Sequence, residues 1–470
     1  MFGFSKDCTI KKEMILDLDN QEESVPSQVL TQNIGSVTNQ TIRKYLQEIK
    51  SNIDNLYTPE ELRIEINRRS GIRLFRQNAN FDRLFAAIYE ENIIYEIFRY
   101  LLNERTFESK MFCEKFQISL SNLRRKIQDI NDAIAIYDLY LTVGKKVTLY
   151  GNESSIRLLF FSFYYVIHHG IRTISFVDSQ ENLQQAEKIC HYLAIEPSQT
   201  RIDLLALWLF INQRSIENQK PLALGVVTNQ FKTQITCPNF LENFEEPDWH
   251  FYLAILEALE FISLKENDNF QAEHENKFSE ATRHWIASYE EHVAELTIAQ
   301  KEQVTKMMYH LSLLDEVLVL EGDVYTSFEV INEEKWRTSY PNFASRFAKF
   351  WSDFSKAAPE ESRDFVKAKS LLLCFDLIPE ELLYQKVSLC LLSNASLNKQ
   401  TQIKRHLKNQ LQNKAALTFV ERLKAADLVI QTEDITGKKV KDSNQVILST
   451  VLSRQDILTV AKALEVVRER

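Results

Sequence analysis

The sequence predicts a mainly α multidomain chain: two winged helix-turn-helix units, two all-helical bundles and a C-terminal small α/β parallel-sheet domain. Three observations predict it. Gly and Pro number only 9 each in 470 residues, and Leu, Ile, Lys, Glu and Gln abound, which favours helices throughout. A helix, turn, helix and basic hairpin occur in that order twice near the start of the chain. After residue 379, short apolar strands alternate with helices, the pattern of a parallel sheet. The expected divisions are residues 1–78, 79–170, 171–278, 279–383 and 384–470.

In the first unit, helices are expected over 8–18 and 27–34, with a polar loop and Pro26 between them. A basic helix over 38–53 comes next, then a hairpin of strands 62–67 and 72–76 whose tip is Arg68-Arg69-Ser70-Gly71. Residues 81–103 read as one long helix, apolar over much of its surface, opening the second unit and bracing the first. A short helix over 108–116 then leads through a turn to Ser119. Ser119 is a good N-cap because its hydroxyl can accept from an otherwise orphan backbone N–H. Leu123, Ile127 and Ile130 fall at i, i+4 and i+7, one apolar stripe. The opposite face carries Ser121, Asn122, Arg124, Arg125 and Gln128. Two alternating segments, 139–143 and 147–150, form a second hairpin around Gly144-Lys145-Lys146. This order is that of a winged helix-turn-helix, whose second helix enters the major groove.

The chain aligned on itself strengthens the point. SVTNQTIRKYLQEI (36–49) lies on QISLSNLRRKIQDI (117–130) without a gap. Thr38 falls on Ser119 as the cap, Ile42 on Leu123, Leu46 on Ile127, Ile49 on Ile130, and Arg43-Lys44 on Arg124-Arg125. Packing alone explains the recurring apolar positions but not the recurring exposed basic pair. The residues expected to face DNA are Thr38, Asn39, Gln40, Thr41, Arg43 and Lys44 in the first head, with Arg68 and Arg69 on its wing. In the second head they are Ser119, Ser121, Asn122, Arg124, Arg125 and Gln128, with Lys145 and Lys146 on the wing. The Arg and Lys side chains suit phosphates or guanine edges, and the wing tips suit the backbone.

The net charge of −9 at first argues against a nucleic-acid binder. Residues 1–150, however, hold 21 basic and 21 acidic residues, so the whole excess of acid lies beyond the proposed heads. Local basic surface, not total charge, sets phosphate affinity.

Downstream, an aromatic helix over 154–169, closed by Gly170, is expected to dock the heads on the helical bundles. Helices are expected over 184–193, 199–212, 248–264, 279–296, 301–313 and 343–354, with a break near Asn267, as two successive bundles. The last domain is expected as strand 386–393, helix 397–411, strands 416–420, 427–432 and 445–449, and helix 453–467. The six cysteines are scattered, which argues against a disulfide framework or a zinc module and for a reducing cytoplasm. No secretory leader is expected, because Met1-Phe-Gly-Phe is followed by Ser5-Lys6-Asp7 without an apolar h-region and cleavage site. The most apolar run, 158–167, is shorter than the ~20 residues a bilayer needs.

The stretches FCEKFQISLSNLRRKIQDIN and KKVTLYGNESSIRLLFFSFYYVI resemble the Mga/AtxA family of transcriptional regulators of Gram-positive bacteria, and the module order agrees along the chain. The resemblance implies a virulence or stress regulator that binds double-stranded DNA as a homodimer, partly through its C-terminal domain. It implies that the two bundles are regulatory domains of the phosphotransferase type, and that the last domain is similar to sugar-transporter IIB subunits. Some members respond to histidine phosphorylation by the phosphotransferase system. The candidate targets here, for a phosphocarrier protein as partner, are His191, His292, His250 and His310; the plain alternative for each is a partly exposed helix histidine. The IIB-like domain departs from an active transporter subunit: the loop after its first strand reads Ser393-Asn394-Ala395-Ser396, without the phosphorylated cysteine, and Cys390 lies inside the strand.

No enzyme is expected. There is no G-x-S-x-G elbow, no H-E-x-x-H and no Walker loop, and no cofactor or metal is implied. The rivals are an RNA-binding antiterminator with similar regulatory domains, which would begin with a small β domain, and an interaction scaffold whose heads no longer read DNA.

Overall fold

The computed structural model describes residues 2–21, 23–35, 37–67, 69–196, 198–222, 235–262, 275–317, 336–337, 339–359, 364–411, 414–432 and 444–468. The chain forms two compact units, Met1–Glu275 with Tyr309–Phe328 and Asn276–Met308 with Glu329–Arg470. Among the described residues the architecture is mainly helical, with two antiparallel hairpin sheets and one parallel sheet.

The first unit opens with α1 (Lys6–Asp19), α2 (Ser27–Ile34) and α3 (Asn39–Leu56), then the hairpin β1 (Leu62–Asn67) and β2 (Gly71–Arg76). Their apolar stripes meet in one core that includes Met14, Ile15, Leu30, Ile42, Leu46, Ile49, Ile53, Leu62 and Ile64. The expected long helix over 81–103 is two helices, α4 (Asp82–Glu90) and α5 (Ile93–Glu104). The break is a capping event. Asn92 leaves the helical region (φ −86°, ψ 136°), and its Oδ1 accepts from Ile94 N at 3.0 Å, which starts a new helix. The apolar residues therefore serve two cores. Leu84 and Ile88 of α4 pack in the first, while Ile94, Ile97, Phe98 and Leu101 form the buried stripe of α5.

A three-residue strand that the sequence reading lacked, β3 (Thr106–Glu108), precedes α6 (Ser109–Lys115) and α7 (Leu120–Ile134). The second hairpin is β4 (Tyr140–Val143) with β5 (Lys146–Tyr150), and β3 pairs antiparallel with β5. Helix α8 (Glu153–His168) is buried on nearly every side. Its left-handed closing residue is His169 (φ 57°), not Gly170 as expected. Gly170 is needed for space instead: an added Cβ would stand 2.5 Å from Asp203 Oδ2, whose Oδ1 accepts from Ile171 N and Arg172 N.

Helices α9 (Gln180–Tyr192), α10 (Gln199–Glu217) and α11 (Glu246–Ala258) complete this part. The run Leu204–Ile211 of α10 is buried without a polar face, which makes it a central helix. Trp208 and Trp249 are fully buried, and their indoles donate to the carbonyls of Tyr252 and Ile235. The break expected near Asn267 lies outside the described residues.

In the second unit, α12 (Glu275–His292), part of α13 (Ile298–Val317), α14 (Pro341–Ala357) and α15 (Asp364–Leu377) form a bundle. Phe343, Phe347, Phe350 and Phe354 make one buried stripe along α14, and Trp285 Nε1 donates to Ser370 Oγ at 2.9 Å. The last domain has strands β6 (Lys386–Leu392), β7 (Ala416–Phe419), β8 (Leu428–Gln431) and β9 (Asn444–Ile447) in the order β7-β6-β8-β9, all parallel. Helices over Leu397–Leu411 and Arg454–Arg468 pack on it. The loop after β6 is closed on itself: Thr432 Oγ1 donates to Ser393 Oγ, and Gln400 Nε2 donates to the carbonyls of Ser393 and Ala395. Cys390 is buried in the strand. No helix among the described residues is long and apolar enough to cross a membrane.

Candidate nucleic-acid interface

The two heads are built alike from the cap upward. Thr38 is extended (φ −79°, ψ 156°) and its Oγ1 accepts from Thr41 N at 3.2 Å. Ser119 is extended (φ −77°, ψ 154°) and its Oγ accepts from Asn122 N at 3.1 Å. In both, the apolar stripe is sealed: Ile42, Leu46, Ile49 and Ile53 on α3; Leu123, Ile127, Ile130 and Ile134 on α7. The turn before each helix needs a left-handed residue, and it is supplied differently, by Gly35 (φ 69°) in the first head and by Gln117 (φ 52°) in the second. The sequence alignment did not single out either.

Each wing also gains a pairing partner from outside its hairpin. In the second head this is β3; in the first, Val25 alone bridges Ile72 with two reciprocal backbone hydrogen bonds of 2.8 Å. Gly71 (φ 94°) makes that bridge possible, since a Cβ there would stand 2.7 Å from Val25 O. Asn67 Oδ1 accepts from Arg69 N at 2.8 Å and shapes the first wing tip. The second tip is tied to α6 by Ser109, whose N–H and hydroxyl donate to the carbonyls of Lys145 and Gly144.

Most of the expected contact residues are exposed. Gln40, Arg43, Lys44 and Arg69 are exposed in the first, and Ser121, Arg124, Arg125, Gln128, Lys145 and Lys146 in the second. Thr38 and Ser119 are exposed but act as caps, and Thr41 Oγ1 shares a 3.0 Å hydrogen bond with Thr38 Oγ1. Arg68 lies outside the described residues. Among the described residues neither Arg43 nor Arg124 has a hydrogen-bond or ion-pair partner. Others are lightly engaged: Lys44 stands 3.7 Å from Glu48, Lys146 3.7 Å from Glu108, and Arg125 Nη2 donates to Asn122 Oδ1 at 3.3 Å. Gln128 donates to Asp132 at 2.7 Å. Surface pairs of this kind are worth ~0–1 kcal/mol and exchange readily onto phosphate. Asn39 departs from expectation, being half-buried with an Oδ1 that has no hydrogen-bond partner.

The sequence reading also missed an arginine clamp on the first wing. Arg63 and Arg73 both lie over the Phe75 ring, 4.0 and 4.7 Å from its centroid. Their alternation with Ile64, Leu74 and Ile72 on the hairpin carried the signal.

The heads are joined within one compact unit. Phe2 sits against Phe98 and Phe163, and Phe4 stacks on Phe163. Gly3 (φ 78°) crosses the backbone of α7, where a Cβ would meet Asp129 O at 2.7 Å. Lys11 reaches Glu48 of α3 at 2.8 Å.

With cap, recognition-type helix, wing and aromatic helix in place, the second head can be compared with known families. Residues 77–164 match the Mga helix-turn-helix domain. This Mga domain runs from the end of the first wing through most of α8. No curated protein matches the chain.

Beyond the Mga domain, the four histidines differ sharply in access. His191 is exposed on the last turn of α9. His250 is half-buried, 3.3 Å from Glu246. His292 is half-buried at the end of α12, 3.8 Å from Asp353. His310 is buried between Glu257 and Glu260, 3.6 and 3.8 Å away. Burial alone would lower its pKa, but the two carboxylates outweigh burial and raise it.

Proposed function

We propose that this chain is a transcription regulator that binds duplex DNA through two winged helix-turn-helix heads, with α3 and α7 each in a major groove. The observation that carries the reading is the repetition of the whole reading surface. Both heads have a hydroxyl cap, a sealed apolar stripe, a wing paired from outside its hairpin and an exposed basic pair, Arg43-Lys44 and Arg124-Arg125. A bundle that only packs needs the stripe and not the pair. Gln40, Ser121, Asn122 and Gln128 supply short-range polar contacts, and Arg69, Lys145 and Lys146 hold the backbone. Such heads read DNA substantially by shape as well as by base edges.

The chain acts as a homodimer through its C-terminal domain. The support is a set of exposed apolar residues on β9, the turn after it and the last helix of that domain: Ile447, Val451, Leu458 and Val466. Activity is tuned by a phosphotransferase-system phosphocarrier acting on His191 or His292, the added charge shifting a domain association. His310 is the least accessible target.

The test is binding to duplex DNA across a salt series, with Arg124→Ala/Arg125→Ala alongside. The log–log slope is expected to fall by ~2 units in the double variant, one for each lost phosphate contact. Failure of the wild type to bind duplex DNA at any salt concentration overturns the reading.

A further inference from the structure

Far from the reading heads, the second unit brings three donor side chains of mixed chemistry together. Glu291 and His292 close α12, and Asp353 stands on α14. One carboxylate oxygen from each acid and one imidazole nitrogen all lie within 4.8 Å of one another. His292 Nε2 and Asp353 Oδ2 are 3.8 Å apart.

We propose that Glu291, His292 and Asp353 form a binding site for a divalent ion of the zinc class. Donors held ~2.0–2.2 Å from a tetrahedral zinc ion stand about 3.4 Å from each other, so the side chains need only rotamer adjustment to close on it. One imidazole with two carboxylates selects zinc over magnesium or calcium, which take oxygen donors alone. Three protein ligands leave a fourth position for water or another ligand.

The surroundings fit a ligand set better than a plain ion pair. Asp353 Oδ2 accepts at 2.8 Å from the hydroxyl of Ser288, a buried residue one turn back on α12, and this outer contact orients the carboxylate. Arg346, on α14, uses Nη1 on the carbonyls of His292 and Val293, at 3.2 and 3.3 Å. It thereby pins the two donor-bearing helices together and leaves the carboxylates un-neutralised. Glu291 is exposed and, among the described residues, has no ion-pair partner, which gives the ion its entry side. His250 and His284, by contrast, each face a single carboxylate one turn away on their own helix. An ion here clips the end of α12 to α14. It also occupies the His292 nitrogen that phosphoryl transfer to Nε2 would use, although the site stands without any phosphorylation.

The experiment uses the full chain, stripped with chelator and titrated with zinc chloride by calorimetry and with cobalt(II) by visible absorption. The expected result is one high-affinity ion per chain with a tetrahedral cobalt spectrum. His292→Ala and Asp353→Asn abolish it, and Ser288→Ala weakens it ~10–100-fold. His250→Ala and His284→Ala serve as controls and leave it unchanged, with circular dichroism reporting that each variant is folded. No binding at micromolar zinc overturns the site. So does binding that folded His292→Ala and Asp353→Asn retain, or that the controls remove.

Discussion

Arg157 of α8 and Asp248 of α11 meet at 2.6 Å (Nη1 to Oδ1), both essentially without solvent exposure. Arg157 Nη1 also donates to Asn212 Oδ1 at 2.9 Å, and Nη2 to Lys220 O at 2.8 Å. Glu153 links this centre to Arg105, whose Nη2 donates to Glu153 Oε1 and Ser215 Oγ at 2.8 and 2.6 Å. Arg105 sits in the left-handed region (φ 57°) directly before β3, so the network runs from the helices beyond the Mga domain to the base of its wing. Burial lowers the Arg105 pKa, and Glu153 opposes that.

Asp248→Ala removes the fully buried carboxylate facing Arg157 and leaves it only Glu153, 3.4 Å from Nε and shared with Arg105, at an expected cost of ~3–5 kcal/mol. Arg157→Met/Asp248→Leu removes both charges and is expected to be less destabilised than either single change. The first unfolding transition in urea reports it. A single change costing under about 1 kcal/mol would show that water already reaches the pair.

Thr38→Ala and Ser119→Ala each remove the acceptor for one orphan N–H at a recognition-type helix start. Each is expected to cost ~0.5–2 kcal/mol in stability. Because the cap also sets the angle at which the exposed basic pair is presented, duplex affinity should fall in both, and by similar factors if the heads contribute alike. Fluorescence anisotropy with labelled DNA measures this. A loss for Ser119→Ala alone would assign recognition to the Mga domain and leave α3 a packing element.

Much of this head architecture was legible in the sequence because the signals are local. A hydroxyl cap, a 3.6-residue stripe and an Asn- or Gly-containing hairpin tip each involve neighbours within one or two turns. The break at Asn92 was not legible, since Glu90-Glu91-Asn92 reads as the polar face of one continuous helix until the Asn92 side chain turns back to Ile94 N. Strand β3 is too short for alternation to reveal, and only its pairing with β5 defines it. Helix α15 carries Leu371, Leu373, Cys374 and Leu377 buried around its circumference, so no periodic polar face marked it. The Arg105–Glu153–Arg157–Asp248 network joins residues distant in sequence, and in one dimension each reads as an ordinary surface charge. The cluster at Glu291, His292 and Asp353 was hidden for the same reason: its third donor comes from another helix.

Gly3→Ala places a Cβ 2.7 Å from Asp129 O at a φ of 78°. Neither the crossing nor the backbone angle tolerates it, and strain of this kind costs on the order of 1–3 kcal/mol. The N-terminal segment should lift from α7, freeing Phe2 and Phe4 from Phe163. Hydrogen exchange should then rise at residues 2–5, and DNA affinity should fall because the heads lose their fixed spacing. Unchanged exchange would mean that the aromatic contacts hold the segment without the glycine crossing.

His310 gives a pH dependence whose sign is fixed by its neighbours. Glu257 and Glu260 stand at 3.6 and 3.8 Å, ion-pair rather than hydrogen-bond distances, and together they raise its pKa against the effect of burial. A folded-state pKa above the unfolded value means that the folded chain holds the proton more tightly. The stabilisation is therefore fully present below about pH 6.5, the unfolded value, and is lost as pH rises through the folded pKa. Wild type and His310→Asn should differ most in melting temperature near pH 6, with the gap closing towards pH 9. A gap that is constant with pH would mean that His310 binds its proton equally well in the folded and unfolded chains and contributes by packing alone. A gap that widens with pH would mean that burial, not the two glutamates, governs the site.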